Sequence, residues 1–166
     1  DFLPADVSTL IELGAGAGEN LQALKSLRPS INVAAVEINA SAAARLQAIA
    51  DDVYHESVLT FYAARQWDAT LIKGVLIHIA PENLYRVYDS LFQHARKYII
   101  IAEYYSKQPR EVVYRKKKGF AHPLASLLGP RRHTRSTRCN RAIPAPSSME
   151  HPEMRGFVWH RTPSWP

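Results

Sequence analysis

The sequence predicts an α/β fold with a doubly wound, mostly parallel sheet. Short apolar segments alternate along the chain with segments whose apolar residues recur at helical spacing, and this alternation is typical of a parallel sheet covered by helices. Three of the seven glycines lie between Gly14 and Gly18, directly after the first strand segment. An acid, Glu37, follows the second strand segment. These features together predict a ligand crevice at the carboxyl ends of the strands.

The first unit is predicted to be a strand, a glycine loop and a helix. Residues 9–13, TLIEL, are mostly apolar and predict a strand buried on both faces. Leu21, Leu24 and Leu27 then recur at helical spacing, and Pro29 ends the helix. A glycine loop in this place lets the backbone approach a ligand at the helix N-terminus. Glycine-rich turns also occur for steric reasons alone, so a turn without a ligand remains an alternative.

The loop sequence separates two classes of cofactor. A dinucleotide fingerprint counted from Gly14 needs its third glycine at residue 19, where Glu19 would place a carboxylate against a pyrophosphate. The pattern that is present, Glu12-x-Gly14-x-Gly16-x-Gly18, resembles the first motif of class I S-adenosylmethionine-dependent methyltransferases. The methionine end of that cofactor carries an ammonium and a sulfonium, so an acidic loop suits it. The resemblance implies that the cofactor is held by Glu12, Gly14, Ala15, Gly16, Gly18 and Asn20.

The second unit places an acid where a ribose would bind. Residues 31–36, INVAAV, predict the next buried strand, and Glu37 follows at its carboxyl end. In a doubly wound sheet an acid at this point accepts hydrogen bonds from ribose hydroxyls. Glu37 lies 19 residues after Gly18, close to the roughly 20 expected for such a unit. The predicted cofactor site includes Ile38, directly after this acid.

The third unit is predicted to be a helix followed by a short strand and a loop. Residues 42–50, AAARLQAIA, are rich in strong helix formers. Residues 53–58, VYHESV, predict a short strand that runs into a loop. In the resembled family this loop contacts adenine, which implies Ser57 as a polar partner of the adenine amine and Val58 as its apolar neighbour. Ser57 could equally cap the next turn.

Two further strands and a helix complete the predicted sheet. Residues 67–74, WDATLIKG, predict the fourth strand, and Lys73 and Gly74 at its carboxyl end are assigned to the cofactor site because open parallel sheets bind ligands there. Pro81 introduces a helix. Residues 97–105, KYIIIAEYY, predict a fifth buried strand. The buried face of the helix is predicted to carry Leu84, Val87, Tyr88 and Leu91.

The later segments resemble one methyltransferase family more narrowly. KGVLIHI at 73–79, YIIIAEYY at 98–105 and GFVWHRTPSWP at 156–166 are similar to the methyltransferases associated with pseudaminic acid biosynthesis. These are bacterial proteins found with pathways for nonulosonic sugars of flagella and cell surfaces. The resemblance covers residues 8–118 and resumes at Gly156. It implies a Rossmann-like fold, S-adenosyl-L-methionine as the cofactor and a sugar-like small molecule as the methyl acceptor.

Candidate catalytic residues follow the fourth and fifth strands. Methyl transfer from a sulfonium asks a protein mainly to align the acceptor and to remove a proton where necessary. His78 is a candidate base near neutral pH, with a packing histidine as the alternative. Glu103 and Tyr104 are candidates for binding sugar hydroxyls or assisting deprotonation, with a place at the edge of the core as the alternative. No grouping of His, Asp and Glu has the spacing of a metal site.

The charge of the chain is unevenly distributed. Residues 1–111 hold ten Lys/Arg and thirteen Asp/Glu, whereas residues 112–166 hold eleven and two, which gives −3 and +9 within the total of +6. No run of about 18 apolar residues predicts a membrane span. The one cysteine, Cys139, excludes an internal disulfide and a zinc cluster built from cysteines. A cytoplasmic enzyme of about one domain is expected.

Residues 116–154 depart from the resembled family. Pro, Arg, Ser and His are scattered through this segment without a period of 2 or 3.6, and no acid stands between Glu111 and Glu150. Frame-shifted or divergent sequence, a basic nucleic-acid-binding arm and an insertion are the explanations that stay open. Phe120 is the one aromatic residue of the segment, which weighs against nucleic acid as a partner. An inactive or truncated methyltransferase relative is the alternative function.

The predicted organisation has three parts. The core that binds S-adenosylmethionine comes first, a basic and irregular segment follows, and a possible returning strand ends the sequence. The C-terminal antiparallel hairpin usual in class I methyltransferases is expected to be incomplete, because the sequence closes at Pro166 before a further strand can form. The predicted boundaries are 1–115, 116–155 and 156–166.

Overall fold

The computed structural model describes residues 3–104, 110–114, 117–121 and 154–160. In these ranges the helices are α1 Glu19–Leu27, α2 Ala40–Leu46 and α3 Leu84–His94. Two short 3₁₀ turns, Leu76–His78 and Pro81–Asn83, precede α3. The strands are β1 Thr9–Leu13, β2 Asn32–Val36, β3 Asp52–Tyr54, β4 Trp67–Lys73, β5 Ala95–Tyr104, β6 Arg110–Tyr114, β7 Lys117–Ala121 and β8 Met154–His160.

The larger sheet has the strand order β3-β2-β1-β4-β5-β8. The first five strands are mutually parallel, and β8 runs antiparallel to β5 with Gly156 opposite Ala102. The doubly wound, mostly parallel fold is therefore confirmed. Because the chain turns outward in opposite directions from β1 and β4, the carboxyl ends of these two strands border the crevice in which such sheets bind ligands.

The sheet is buried on both faces, as the apolar strand segments predict. Successive residues of a strand point to opposite faces, and in β1 this divides the core in two. Ile11 and Leu13 pack in one cluster with Trp67 and the buried face of α3. Leu10 packs in the other cluster with Leu21 of α1. The central strands are thus held by apolar contacts on either side, which fixes the position of their carboxyl ends.

Two elements end four residues earlier than predicted. Helix α2 ends at Leu46 instead of residue 50, and β3 ends at Tyr54 instead of residue 58. After β3 the chain forms a tight turn in which the carbonyl of Ser57 accepts hydrogen bonds from the N–H groups of Thr60 and Phe61. The turn takes residues 57–61 out of the sheet, a local hydrogen-bonding preference that the apolar pattern did not reveal.

The antiparallel pair of β6 and β7 was not predicted. Its register places Val112 opposite Gly119, and β7 packs on the 3₁₀ turn, where a β-carbon at residue 119 would lie 2.9 Å from Cγ1 of Ile77. KKGFA is a poor strand sequence by propensity alone, so this strand depends on its partner and on the turn beneath it. The three-part division of the chain stays a prediction, because Tyr105, Cys139, Arg161 and most of residues 116–153 lie outside the described residues.

Asp68 ties the amino end of β4 to the amino end of β1. Its Oδ2 accepts hydrogen bonds from the Ser8 N–H at 3.0 Å, the Ser8 hydroxyl at 2.7 Å and the Thr9 N–H at 3.2 Å. Lys97 lies 3.4 Å from Oδ1. Burial by itself raises the pKa of this carboxyl, but the hydrogen bonds from Ser8, Thr9 and Lys97 outweigh it and lower the pKa to about 2. The folded state therefore favours the ionised carboxylate.

We expect Asp68→Asn to lower the free energy of unfolding by about 2 kcal/mol at neutral pH, the value of a pKa lowered by nearly two units. The stabilisation from a depressed carboxyl pKa is complete above roughly pH 4 and is lost as the pH falls toward 2. Wild-type protein should therefore show an acid-dependent loss of stability that the variant lacks. Chemical denaturation across this pH range measures the difference. Asp52→Asn, which removes only an exposed pair with Arg65, is the control, and an equal loss in both variants would contradict the prediction.

Candidate functional site

The glycine loop between β1 and α1 has a left-handed backbone at each of its glycines. The φ angles are 78° at Gly14, 56° at Gly16 and 84° at Gly18, a region that residues with a β-carbon rarely adopt. The N–H groups of Gly14 and Ala15 both donate to the carbonyl of Val36, at 2.8 and 3.0 Å. The loop is thereby folded over the carboxyl end of β2.

The surroundings of the three glycines differ. A β-carbon at Gly14 would lie 2.5 Å from Cγ2 of Val75, and one at Gly18 would lie 2.8 Å from Cδ2 of Leu46, so close packing accounts for both. A β-carbon at Gly16 would meet no described atom within 4 Å. Protein packing therefore does not explain a glycine at position 16. Its backbone faces open space, as a loop that receives a ligand closely requires.

Glu37 accepts hydrogen bonds from the backbone of the glycine loop and from the backbone of its own loop. Its Oε2 accepts a hydrogen bond from the Gly16 N–H at 2.8 Å, and its Oε1 accepts one from the Asn39 N–H at 2.8 Å. The residue is 8% exposed. Each carboxylate oxygen has a second lone pair and can still accept a hydroxyl. The sequence predicted a ribose acceptor at this position but not that the same carboxylate holds the glycine loop in place.

A line of polar side chains crosses the base of the loop. Asn20 donates through Nδ2 to Oε1 of Glu12 at 2.6 Å and accepts through Oδ1 from Nζ of Lys73 at 2.8 Å. Glu12 is completely buried, and its Oε2 has no hydrogen-bond partner among the described residues. Burial raises the pKa of Glu12 to about 8 against the opposing effects of Asn20 and Lys73. The structure thus brings together three of the predicted cofactor residues and leaves one carboxyl oxygen unused.

The remaining predicted cofactor residues lie after β2 and β3. Ile38 is 68% exposed, and its carbonyl is 3.1 Å from Nε2 of His55. The hydroxyl of Ser57 accepts a hydrogen bond from the Leu59 N–H at 3.2 Å, which is the turn-capping alternative. Val58 is partly buried and packs against the core cluster that contains Trp67. A contact of Ser57 or Val58 with adenine stays a prediction.

Gly74 and the following 3₁₀ turn form the edge of the crevice beside β4 and β5. Gly74 has a φ of 66° and no described atom within 4 Å of the place of a β-carbon, while its N–H donates to the carbonyl of Ala102 at 3.0 Å. His78, at the end of the turn, is exposed, and Tyr104, at the end of β5, is half-buried. Both candidate catalytic side chains therefore lie near the carboxyl end of the sheet.

Glu103, the third candidate catalytic residue, lies beneath the turn. Its Oε1 accepts hydrogen bonds from the N–H groups of Val75 at 2.7 Å and Leu76 at 2.9 Å. Burial raises the pKa of Glu103 to about 7, against the lowering effect of these backbone donors. Val75 touches Gly14 and donates to Glu103; the sequence places it at the carboxyl end of β4 but predicts no role for it. No local signal could have found it, because its role comes from contacts with β5 and with the first loop.

Two further observations concern metal ligands and membrane-spanning helices. No three His, Cys, Asp or Glu side chains cluster as metal ligands in the described ranges. None of the helices in the described part of the chain combines the length and the apolar character that crossing a bilayer requires.

Solved structures of methyltransferases resemble this chain. The 1,6-didemethyltoxoflavin-N1-methyltransferase of Burkholderia thailandensis, solved with S-adenosylhomocysteine, aligns at a TM-score of 0.72 and 18% identity over 93% of this chain and 71% of that one. The sugar N-methyltransferase of a Streptoalloteichus species aligns at 0.67 and 14% over 93% and 80%. The O-methyltransferase from the trans-AT PKS multienzyme of Brevibacillus brevis, also solved with S-adenosylhomocysteine, aligns at 0.59 and 14% over 72% of this chain and 43% of that one.

At these identities the likeness concerns the fold. No protein-family model matches the chain, and no curated protein matches it. The pseudaminic acid family is therefore not supported beyond the sequence resemblance. The parallel strands have the order 3-2-1-4-5, with the glycine loop after β1 and an acid after β2. This chain has the Rossmann-like α/β fold of S-adenosylmethionine-dependent methyltransferases.

Proposed function

We propose that this chain binds S-adenosylmethionine at the glycine loop and transfers its methyl group to a sugar-like small molecule. The observation that carries the proposal is Gly16. Its left-handed backbone faces open space, its N–H is held by Glu37, and the loop closes over the buried acid Glu12. Among the three glycines of the loop, Gly16 is the one whose β-carbon site is open, and this opening leaves room for a ligand against the backbone.

The residues around the loop suit the parts of this cofactor. Glu37 retains acceptor capacity for ribose hydroxyls beside its two backbone hydrogen bonds. The exposed side chain of Ile38, with Val58, suits the face of an adenine, and Ser57 would meet its amine. Glu12 would serve the methionine end of the cofactor through Asn20, its hydrogen-bond partner, because its own side chain is completely buried. When bound, the cofactor supplies a methyl carbon activated by its sulfonium.

Residues at the ends of β4 and β5 would serve the acceptor. His78 is exposed beside the crevice and would take the proton that an acceptor hydroxyl or amine loses. Tyr104 would bind a sugar hydroxyl, and the open side of Gly74 leaves room for the acceptor to approach. A sugar-like acceptor is supported by the resemblance of residues 73–79 and 98–105 to nonulosonate-associated methyltransferases. A sugar N-methyltransferase among the structural neighbours is consistent with it.

Calorimetric titration with S-adenosylhomocysteine tests the cofactor assignment. We expect wild-type protein to bind it, with a Kd between about 1 μM and 1 mM. We expect Gly16→Arg to weaken binding at least about 100-fold while costing only about 1–2 kcal/mol of backbone strain, because the new side chain enters open space. Leu27→Arg places the same charge on an exposed position at the end of α1 and should bind like the wild type. No heat from folded wild-type protein, or equal heat from wild type and Gly16→Arg, would rule the assignment out.

A second experiment addresses the acceptor separately. Purified protein is incubated with S-adenosylmethionine labelled in its methyl group and with N-acetylneuraminic acid, glucosamine or a catechol. Label in either sugar supports a sugar-like acceptor. Label in the catechol alone would overturn the acceptor assignment and leave the cofactor assignment intact.

A further inference from the structure

Val75 links a buried carboxyl on β5 to the glycine loop. Its N–H donates to Oε1 of Glu103 at 2.7 Å. Its side chain lies against Gly14, since a β-carbon at residue 14 would be 2.5 Å from Cγ2 and 3.4 Å from Cγ1 of Val75. The two contacts are made by one residue with a short, stiff side chain. A displacement of the Val75 backbone would therefore move the surface on which the first glycine of the loop rests.

Glu103 fixes that backbone from below. It is 5% exposed, and its Oε1 also accepts the Leu76 N–H at 2.9 Å, so one oxygen holds two successive N–H groups. Its Oε2 is buried and has no hydrogen-bond partner among the described residues. Burying a carboxyl with an unused oxygen costs free energy that an apolar side chain in the same space would not. The contribution of Glu103 to the structure is its two hydrogen bonds to the backbone of residues 75 and 76.

We propose that Glu103 is a positioning residue for the cofactor site: by holding the backbone of Val75, it sets the wall against which Gly14 and the glycine loop rest. The inference rests on the proposed function, because the loop is taken to bind S-adenosylmethionine. Glu103 acts on the cofactor site indirectly, because its hydrogen bonds go to the backbone of residues 75 and 76. The cofactor side of the crevice thus depends on a carboxyl from the strand that borders the acceptor side.

A double-mutant cycle read out by S-adenosylhomocysteine affinity tests this path. Calorimetry is carried out on wild type, Glu103→Gln, Val75→Ala and the double variant. We expect Glu103→Gln to raise the Kd about tenfold, and to change it less than twofold in the Val75→Ala background, where the wall is already removed. Hydrogen exchange at the amides of residues 75 and 76 should become faster in Glu103→Gln, because the neutral amide is a weaker acceptor.

A control separates positioning from general destabilisation. Asp68→Asn is destabilised at the opposite end of β4 and should bind S-adenosylhomocysteine within twofold of the wild type when all samples are kept below their unfolding transitions. An unchanged Kd in Glu103→Gln overturns the inference, and so do additive effects of the two substitutions. If Glu103→Gln does not fold, Val75→Ala carries the test, and a wild-type Kd for that variant overturns the inference. Folded wild-type protein that gives no binding overturns the proposed function itself.

Discussion

One additional methyl group at residue 14 should be enough to destabilise the protein. We expect Gly14→Ala to lower the free energy of unfolding by about 3 kcal/mol, as the sum of about 1–2 kcal/mol for a left-handed backbone and about 1–3 kcal/mol for overpacking. The backbone contribution follows from the φ of 78°, and the packing contribution from the 2.5 Å that would separate the new Cβ from Cγ2 of Val75. Chemical denaturation followed by circular dichroism measures the loss.

Two companion variants separate the contributions. Gly14→Ala combined with Val75→Ala removes the clash and keeps the backbone strain, so the pair should show a coupling free energy of at least about 1 kcal/mol. Gly16→Ala has the same handedness of backbone without a neighbour within reach, and it should cost only the strain, about 1–2 kcal/mol. Equal losses at positions 14 and 16 would show that the contact with Val75 contributes nothing.

Removing the carboxylate of Glu37 should have the largest effect on cofactor affinity among the single substitutions that leave the glycines intact. We expect Glu37→Ala to weaken binding of S-adenosylhomocysteine about 100-fold, because hydrogen bonds to a charged group contribute about 1.5–3 kcal/mol each. The same substitution leaves the Gly16 N–H without its acceptor, so the loop loses its anchor as well. Glu37→Gln keeps one acceptor oxygen, so its affinity should lie between those of the wild type and Glu37→Ala, about tenfold weaker than the wild type. Calorimetry at constant ionic strength measures the series.

Glu56→Ala is the matched control for this series. Glu56 is exposed and follows β3, so its removal changes the net charge by the same amount without touching the loop. We expect its affinity to lie within about twofold of the wild type, since exposed charges are screened. If Glu37→Ala bound S-adenosylhomocysteine as tightly as the wild type, the assignment of this carboxylate to the ribose would be wrong. A uniform loss across the Glu37 and Glu56 variants would point to net charge instead.

Much of the fold follows from local pattern. The strand segments of β1, β2, β4 and β5 are mostly apolar runs, and α3 shows its buried face as apolar residues at helical spacing. Such patterns are visible in a single sequence because burial on one face or on both dictates which positions are apolar. The parallel direction of the strands was also predicted, because strands that alternate with helices are typical of a parallel sheet.

The ends of the elements and the pairing of β6 with β7 were harder to predict from the sequence. Strand β3 ends at Tyr54, and the carbonyl of Ser57 then accepts hydrogen bonds from Thr60 and Phe61 in a turn. Polar turn chemistry of this kind is weakly marked in a short apolar run. Strand β7 has neither apolar alternation nor strand propensity, and it exists through pairing with β6 and packing of Gly119 on Ile77. These are contacts between separate segments, and local pattern does not contain them.

For the candidate site, the sequence predicted the residues but not the contacts between them. Local sequence specified which residues gather at the crevice: Gly14, Gly16 and Gly18 by their spacing, and Glu37 by its distance from them. Their hydrogen bonds are visible only in the folded chain, where Glu37 accepts from Gly16, Asn20 joins Glu12 to Lys73, and Glu103 accepts from Val75. The reason is physical: spacing reflects the period of a strand or a helix, whereas a hydrogen bond between two loops depends on how separate strands are set side by side in the sheet.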